Sequence, residues 1–557
     1  MCAYSTVQGR SGCANDRAMQ TILRDTWGHE GFVVSDCGAV GGGPAGAVQA
    51  IEAGTDLECN PWGQSLYPSL VNSTLAGNIS QAVITRAAMR LLYVRFRLGR
   101  WDPPAMVPFA DKATYGKGAD MSLYEQVSLE AAQQSVVLLK NDGILPLAQP
   151  GPYATIAAIG IVDCMSSGYD TAGDGNANKT LVPTALRTAF PASTVQVGTG
   201  CGCPLDQPDC EQCPGCNWAP AGLMAKCSNY NATNTTLGLA GADLVVLMMG
   251  FGGRPGENTD LGEEQKALDL YANQTQLLDA ALATGKPIIL VLFTALPCNI
   301  TSIVANAQVR AVVQAYYPQH HGGTAVVDVL TGKVNPAGRL VMTWPRAYDP
   351  VVHGDIDDYV MLGTQKTYRF GFPSFNTLFP FGFGLSYTSW SYSDLVVEPA
   401  GGVVQPCANV TVTVTVSNTG ARDGSEVVML YVRWRDVQGG DAPVPNITLA
   451  DFARVAVPAG QSAAVTLVVD ARHWSVLQAQ PLGPPSPKEP NGTWVPPAWI
   501  MKPATLDLFV GGQQPFATPR LASNVLSGSV ALAGDGSPAS RCPRWLPHDR
   551  RGQRKHA

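Results

Sequence analysis

One aspartate stands where a carboxylate can do chemistry. Residues 31–37 read Gly-Phe-Val-Val-Ser-Asp-Cys, so an apolar run ends at Asp36 and a polar loop follows. A buried strand that ends in this way delivers a carboxylate to the loop, where it can act as a nucleophile. The alternative is a structural aspartate, or a helix N-cap, before Gly38.

The elements that must position Asp36 follow from alternating strand and helix patterns. Apolar runs at 1–4, 31–34 and 55–57 alternate with helical patterns at 16–26 and 45–53. The alternation predicts parallel βα units. A complete (β/α)₈ barrel takes about 250 residues, so residues 1–105 would supply only part of one. A last helix is expected from an N-cap at Ser80 to about Arg97, with Gly99 ending it.

Two further domains are expected after a linker at 106–121. Buried-strand runs predict an α/β domain over 122–346, and after a second linker at 347–390 a period-two alternation predicts an antiparallel β-sandwich over 391–535. Residues 536–557 are expected to form a basic tail. The strand runs lie at 155–161, 242–249 and 287–293 in the α/β domain and at 410–416, 427–432 and 463–469 in the sandwich.

Several of these motifs resemble glycoside hydrolase family 3, most closely its β-xylosidase and α-arabinofuranosidase branch. The resemblance rests on residues 1–4, on 31–38, on Tyr-Tyr-Pro-Gln-His-His-Gly-Gly at 316–323 and on Asn-Pro-Ala-Gly-Arg-Leu at 335–340. It implies the C-terminal remnant of a (β/α)₈ barrel, an α/β sandwich domain and a fibronectin-III-like β-sandwich. Three open strands would leave an unpaired parallel edge, so we expect the remnant to be poorly stable by itself.

The resemblance also implies a reaction and its residues. Hydrolysis of a glycosidic bond with retention needs two carboxyl groups about 5 to 5.5 Å apart, a nucleophile and an acid/base. Asp36 takes the first role by resemblance. The acid/base is expected in the loop after the run 242–249, where counting along the chain favours Glu257, with Glu263 as the fallback. The alternative for either glutamate is a solvated acidic loop.

Tyr4 and Cys37 are the implied substrate-binding residues. Tyr4 would lie beside the nucleophile and steady developing charge through its hydroxyl, or it is a core aromatic residue. Cys37 stands where glucosidase-type members carry tryptophan, and with Cys59 it marks the pentose-acting branch. The implied substrates are terminal β-xylosyl or α-arabinofuranosyl residues of hemicellulose-type oligosaccharides or polysaccharides. A β-glucosidase of the same family is one alternative, and a non-catalytic remnant or carbohydrate-interacting scaffold is the other.

Composition argues against other partners. A net charge of −6 over 557 residues is not the signature of a protein that binds polyanions, so no nucleic-acid partner is expected, and no apolar run approaches the ~20 residues of a membrane span. Among the six cysteines from Cys201 to Cys227, the Cys-x-x-Cys-x-x-Cys run at 210–216 has ligand-like spacing, but a disulfide-stapled loop is favoured, so no metal is expected. The glycine-rich segment 250–253 is too short and wrongly spaced for a nucleotide loop, so no cofactor is expected either. The oligomeric state stays open.

Cysteine content and glycosylation motifs predict an extracellular or cell-wall location. The chain has fourteen cysteines and ten Asn-x-Ser/Thr motifs, which suit an oxidising, glycosylating compartment. Residues 1–4 lack the character of a signal peptide. We therefore expect Met1 to be an internal methionine, with a signal peptide and the early barrel strands upstream of it. The motifs begin at Asn72, Asn78, Asn178, Asn231, Asn234, Asn273, Asn299, Asn409, Asn446 and Asn491.

Overall fold

The computed structural model divides the chain into two compact units, Met1–Ser122 and Leu123–Ala557. We call them the N-terminal unit and the C-terminal unit. No helix in the described part of the chain combines the length and apolar composition that crossing a membrane requires. The structure describes residues 1–7, 10–60, 65–110, 121–160, 180–198, 232–250, 268, 270, 272–294, 297–346, 367–370, 377–437, 444–478, 498–517 and 519–542.

The N-terminal unit carries the predicted parallel segments and helices. The three apolar segments pair through single parallel bridges, Cys2 with Ser35 and Val34 with Leu57, so the parallel order is confirmed although no long strand forms there. The elements of this unit are β1 (Thr6–Val7), β2 (Arg10–Ser11), a π-type helix α1 (Arg17–Thr26), α2 (Gly43–Ala53), α3 (Leu70–Leu75), α4 (Gln81–Arg97) and 3₁₀ turns at Gly12–Ala14, Tyr67–Ser69, Pro104–Met106 and Pro108–Ala110.

Helix α4 has the predicted boundaries. Ser80 is its N-cap residue with extended backbone angles, although its side chain makes no capping hydrogen bond. After Leu98 the chain turns at Gly99, whose φ of +67° is the left-handed conformation that glycine adopts without a steric penalty. The predicted stop at Gly99 is therefore confirmed.

A six-stranded sheet forms the first half of the C-terminal unit. Strand β6 (Leu244–Gly250) is buried along its whole length, as expected of a strand covered on both faces. The strand order is β3-β8-β7-β6-β4-β5, with β3 antiparallel to β8 and the other pairs parallel. The other strands are β3 (Val137–Asn141), β4 (Thr155–Gly160), β5 (Thr194–Gly198), β7 (Ile288–Phe293) and β8 (Val309–Gln314).

Helices connect and cover the strands of this α/β sandwich domain. They are α5 (Met121–Ser135), α6 (Val182–Ala189), α7 (Ala232–Leu239), α8 (Ala272–Ala283), α9 (Thr301–Ala305) and α10 (Gly322–Leu330), with a 3₁₀ turn at Gln319–His321.

Part of the segment expected to be the second linker lies in the core of the α/β domain. Residues 377–387 belong to the predicted linker 347–390, yet Phe379 and Phe383 are buried there and Leu385 donates its N–H to β3 over 2.8 Å. The aromatic side chains explain the difference, because burying them outweighs leaving the segment in solvent. The short elements here are β9 (Trp344–Pro345), β10 (Thr377–Phe379), which pairs with β9, and α11 (Thr367–Phe370).

The predicted antiparallel β-sandwich forms the rest of the C-terminal unit. Side chains of Val410–Asn418 alternate between buried and half-buried, as the period-two pattern requires. One sheet has the order β11-β13-β16 and the other β12-β20-β19-β14-β15. The elements are β11 (Trp390–Glu398), β12 (Val403–Val404), β13 (Val410–Asn418), β14 (Gly424–Arg435), β15 (Thr448–Val457), β16 (Ser462–Val469), α12 (Ala471–Trp474), β17 (Val476–Gln478), β18 (Ala498–Ile500), β19 (Ala504–Gly511) and β20 (Val525–Leu532).

The first residues of the expected basic tail are attached to this sandwich. A 3₁₀ turn at Ala539–Arg541 leads to Cys542, which forms a disulfide with Cys407 and lies in the sandwich core. Residues 543–557, which carry most of the basic side chains of the tail, lie outside the described residues.

Candidate active site

Asp36 lies at the C-terminal end of the central one of the three parallel segments. Its backbone N–H donates to the carbonyl of Cys2 over 2.9 Å, and the N–H of Ser35 donates to Leu57 over 2.8 Å. Hydrogen bonds to both neighbouring segments therefore fix the backbone at the carboxylate. The C-terminal ends of parallel strands are where βα proteins place reactive groups, and the structure puts Asp36 at such an end.

One disulfide holds this loop in place, and a second holds the neighbouring first segment. Cys37 is bonded to Cys59, and Gly38 N–H donates to the carbonyl of Cys59 over 2.8 Å. Gly38 has a φ of +82°, so the chain turns sharply directly after the candidate nucleophile. Cys2 is bonded to Cys13. Cys37, expected to contact substrate as a small side chain, therefore also joins the Asp36 loop to the third segment.

Asp36 is half-buried, and its carboxylate has few hydrogen-bond partners among the described residues. Among the described residues it accepts one hydrogen bond, from the N–H of Cys37 over 2.7 Å. The helix-cap alternative does not hold, because α2 begins at Gly43 and has Gly42 as its N-cap. A carboxylate that is neither ion-paired nor saturated with hydrogen bonds keeps lone pairs for attack.

Tyr4 lies close to Asp36 in the chain's hydrogen-bond network. Its hydroxyl donates to the carbonyl oxygen of Cys37, the residue that follows Asp36. The Tyr4 side chain is 49% exposed, so the alternative of a core aromatic residue does not describe it. The Tyr4 hydroxyl is therefore hydrogen-bonded to the residue next to the candidate nucleophile.

Two other acidic side chains, Asp56 in the third segment and Glu58 directly after it, make different contacts. Glu58 accepts hydrogen bonds from the N–H groups of Leu66 (2.8 Å) and Tyr67 (2.7 Å) and from the hydroxyl of Ser65 (2.6 Å), so its carboxylate orders the following turn. Both oxygens of Glu58 already accept hydrogen bonds, so Glu58 is less suited than Asp36 to act as a nucleophile.

Asp56 is the buried acid of the N-terminal unit, and sequence reasoning missed its partners. Its carboxylate pairs with Arg24 over 2.7 Å and with Arg90 over 3.0 Å, and it accepts the N–H of Val33 over 2.9 Å. Burial, the largest cause, lowers the pKa of Arg24, while Asp56 opposes that shift and Arg90 adds to it. By accepting the N–H of Val33, the Asp56 carboxylate also fixes the start of the segment that carries Asp36.

The second half of the expected site lies outside the described residues. Glu257 and Glu263 both fall in 251–267, and the cysteines from Cys201 to Cys227 fall in 199–231. The structure does describe where the glutamate loop begins. Gly250 ends β6 with a φ of +145°, and a Cβ there would lie 2.0 Å from the carbonyl oxygen of Phe293.

Gln274 anchors the start of that loop. Its side chain is buried, its Oε1 accepts the N–H of Gly250 over 2.9 Å, and its Nε2 donates to the Gly250 carbonyl over 2.5 Å. The amide group therefore replaces a β-strand partner at the last residue of β6. Gln274 therefore fixes the backbone at Gly250, from which the loop leaves β6.

Comparison with known families matches three stretches of the chain. Residues 1–94 match the glycosyl hydrolase family 3 N terminal domain, residues 136–387 match the glycosyl hydrolase family 3 C-terminal domain, and residues 426–514 match a fibronectin type III-like domain. The matches fall on the N-terminal unit, the α/β sandwich domain and the β-sandwich respectively.

Curated relatives are glycosidases of two substrate types. A probable exo-1,4-beta-xylosidase of Aspergillus terreus is 30% identical over 491 residues, covering 82% of this chain and 57% of the relative. The thermostable beta-glucosidase B of Acetivibrio thermocellus is 29% identical over 488 residues, covering 86% and 59%. The chain thus spans less than two thirds of the length of these relatives.

Solved structures share the fold. A β-glucosidase from Erythrobacter marinus superposes with a TM-score of 0.68 at 24% identity, covering 95% of this chain and 67% of that one. A Bifidobacterium adolescentis family 3 β-glucosidase gives 0.66 at 23% identity, covering 98% and 71%.

The fold defines a multidomain α/β protein with a barrel-like part, an α/β sandwich domain and a fibronectin-III-like module, as the sequence predicted. The chain belongs to glycoside hydrolase family 3.

Proposed function

We propose that the chain is part of a retaining exo-glycosidase with Asp36 as its nucleophile. The observation that carries the proposal is the Asp36 carboxylate, which sits at the end of the central parallel segment, is held there by backbone hydrogen bonds and a disulfide, and has no ion-pair partner among the described residues. Asp56 and Glu58 are occupied by arginines and by backbone N–H groups.

The proposed reaction is a double displacement. An oxygen of Asp36 attacks the anomeric carbon while a second carboxylic acid protonates the leaving oxygen, giving a glycosyl-enzyme ester. The same second residue then removes a proton from water, which attacks the anomeric carbon and releases Asp36. We propose Glu257 as this acid/base, with Glu263 as the second candidate.

Terminal β-xylosyl or α-arabinofuranosyl residues are the proposed substrates. In support, the Cys37–Cys59 disulfide occupies the position where glucosidase-type members carry tryptophan, and a relative is named a probable exo-1,4-beta-xylosidase. A β-glucosidase activity is the second candidate, because other relatives carry that name. Comparing kcat/KM on aryl β-xyloside, α-arabinofuranoside and β-glucoside distinguishes them, since specificity is a ratio of these constants.

We further propose that the protein works outside the cytosol. Three disulfides among the described cysteines and the ten glycosylation motifs support an oxidising compartment. One relative is named a periplasmic beta-glucosidase. The proposed domain limits remain 1–105, 122–346 and 391–535, with the reservation that 377–387 packs with the α/β domain.

Covalent trapping tests the nucleophile directly. A 2-deoxy-2-fluoro glycoside with a good leaving group slows the second step, so the ester accumulates and mass spectrometry of peptides locates it. We expect the label on the peptide that contains Asp36. Asp36→Asn should lose the label and lower kcat by at least about a thousandfold, while Asp25→Asn, at an exposed aspartate of the same unit bonded to Gln20, should keep both.

The assay should be run on the 557-residue chain and on any product extended upstream of Met1 in frame. We expect the 557-residue chain to be the weaker of the two, because a longer product would offer the sugar more contacts that orient it. A label on another residue, or turnover retained in Asp36→Asn, contradicts the nucleophile assignment. Inactivity of both chains with sugar binding preserved would favour the scaffold alternative.

A further inference from the structure

Three potential metal ligands meet on the surface of the α/β sandwich domain. Glu125 comes from α5, and His320 and His321 come from the 3₁₀ turn that precedes α10. Glu125 Oε2 lies 2.5 Å from His321 Nε2 and 3.8 Å from His320 Nε2. One ligand atom from each side chain lies within 4.8 Å of the other two. All three residues belong to the C-terminal unit, and the proposed glycosidase mechanism uses none of them.

The backbone that carries the two histidines is rigidly held. The N–H of Thr180 donates to the carbonyl of His320 over 3.1 Å, and the N–H of Gly323 donates to the carbonyl of Thr180 over 2.7 Å. A Cβ on Gly323 would lie 2.2 Å from the carbonyl carbon of Leu181, so only glycine permits this approach. Helix α10 then runs through the core, with eight of its nine residues buried. The imidazoles therefore project from a fixed support.

We propose that Glu125, His320 and His321 bind one divalent transition-metal ion of the Zn²⁺ type. Two imidazole nitrogens and one carboxylate oxygen are a ligand set that Zn²⁺ accepts, with bonds of about 2.0 to 2.2 Å. Tetrahedral bonds of that length separate neighbouring ligand atoms by about 3.3 Å. The separations of 2.5 and 3.8 Å bracket this value, and the two imidazole nitrogens lie within 4.8 Å of each other. Rotations of the three side chains would therefore complete the site.

A metal would also use His320, which makes no hydrogen bond to Glu125. Without metal, Glu125 and His321 form a hydrogen bond, and the nearby N-terminus of α10 also favours a carboxylate. His320 Nε2 is 3.8 Å from the same oxygen, beyond hydrogen-bond distance, yet its ring packs edge-on against His321 with centroids 5.0 Å apart. A cation bound between the three side chains would be coordinated by both imidazoles at once.

The site would join parts of the chain that are far apart in sequence. Glu125 and His321 are separated by 196 positions, and the metal would tie α5, at the start of the C-terminal unit, to the turn before α10. The side chains are partly exposed, so an ion can reach them, and three protein ligands leave a fourth coordination position for water.

Zinc titration of the full chain tests the proposal. The oxidised chain is freed of metal with a chelator, dialysed, and titrated with ZnCl₂ at pH 7.5 by calorimetry, and Cu²⁺ is used in parallel for nitrogen hyperfine structure in electron paramagnetic resonance. We expect one zinc site per chain, a Cu²⁺ spectrum with two nitrogen ligands, and a higher unfolding temperature with zinc, because the ion binds the folded state. No zinc binding at micromolar concentration overturns the proposal.

Single substitutions assign the site. Glu125→Gln keeps the size of a surface side chain on α5 and should weaken zinc binding at least tenfold. His321→Asn and His320→Asn should each do the same and remove one nitrogen from the Cu²⁺ spectrum. His473→Asn is the matched control, since that histidine pairs with Asp470 in the β-sandwich. Equal zinc affinity in all five proteins, or loss in the control alone, contradicts the assignment.

Discussion

Both units of the molecule bury an arginine–carboxylate pair, but the surroundings of the two pairs differ. In the N-terminal unit Asp56 lies between Arg24 and Arg90 with its side chain 1% exposed. In the C-terminal unit Glu426 of β14 pairs with Arg339 over 3.0 Å and accepts the hydroxyl of Tyr392 over 2.9 Å. The first cluster has two cations for one anion, and the second has one of each.

Burial acts on opposite partners in the two clusters. It lowers the pKa of Arg24, and the charge of Arg90 lowers it further. In the other cluster burial raises the pKa of Glu426, and Arg339 and Tyr392 reduce that rise without cancelling it. The N-terminal cluster therefore needs Asp56 to offset the burial of Arg24, whereas in the C-terminal cluster burial makes Glu426 easier to protonate than it is in water.

The two units also differ in how much of their helices is buried. Helix α4 of the N-terminal unit has one buried residue, Ala87, and exposes Met89 (63%) and Phe96 (64%). Helix α10 of the C-terminal unit is buried along nearly its whole length. A unit with little buried apolar surface depends more on each ion pair and disulfide. The comparison implies that equivalent changes cost the N-terminal unit a larger share of its stability.

The largest expected effect is that of Asp56→Ala. Removing the carboxylate leaves Arg24 and Arg90 without their partner in a buried site, which costs about 3–5 kcal/mol. We expect the opening free energy of residues 33–57, measured by hydrogen exchange, to fall by this amount, while that of the β-sandwich stays unchanged. Arg10→Ala breaks the exposed Arg10–Asp16 pair of the same unit and should cost below about 1 kcal/mol. Equal effects of the two substitutions would refute the comparison.

Loss of the Cys37–Cys59 disulfide should have the next largest effect. Its 22-residue separation corresponds to about 3 kcal/mol in the chain-entropy description. The double variant Cys37→Ser/Cys59→Ser should reduce the protection of residues 31–59 of the N-terminal unit, measured by hydrogen exchange. Cys298→Ala is the control, because Cys298 is a buried free thiol of the other unit whose pKa burial raises to about 12. A C-terminal unit destabilised by the double variant would contradict the expectation.

Local patterns predicted most elements of the fold. The alternation at 410–416 became β13, the buried run at 287–293 became β7, and the amphipathic pattern after Ser80 became α4. Each of these features repeats within a few residues, so adjacent side chains suffice to reveal it. The segment 377–387 escaped because its aromatic residues are buried by distant strands, and a linker-like composition does not record such packing.

The candidate site was likewise predictable only where its signals are local in the sequence. Asp36 could be proposed as the nucleophile because the apolar run that ends at it is a local feature of the sequence. The partners of Asp56 lie 32 and 34 positions away, at Arg24 and Arg90, and the partner of Cys37 lies 22 positions away. Such pairings depend on how segments meet in three dimensions. The composition of each segment is compatible with several pairings, so sequence alone did not choose among them.

The smallest expected effect is a change in pH dependence at Glu426. Because the folded protein holds the Glu426 proton more tightly than the unfolded chain does, this group's stabilising contribution is fully present below the ordinary carboxyl pKa of 4.5 and is lost as pH rises through the raised pKa. Glu426→Gln cannot ionise. The unfolding free energy of the wild type minus that of Glu426→Gln should therefore fall as pH rises from about 4 upward.

Urea unfolding of the β-sandwich at a series of pH values measures this difference. Glu398→Gln, which removes an exposed carboxylate of the same sandwich, corrects for the general effect of losing one negative charge. A difference that rises with pH would mean that the Arg339–Glu426 attraction outweighs burial. The two buried pairs would then both depend on an ionised carboxylate, and the contrast between the units would rest on apolar burial alone.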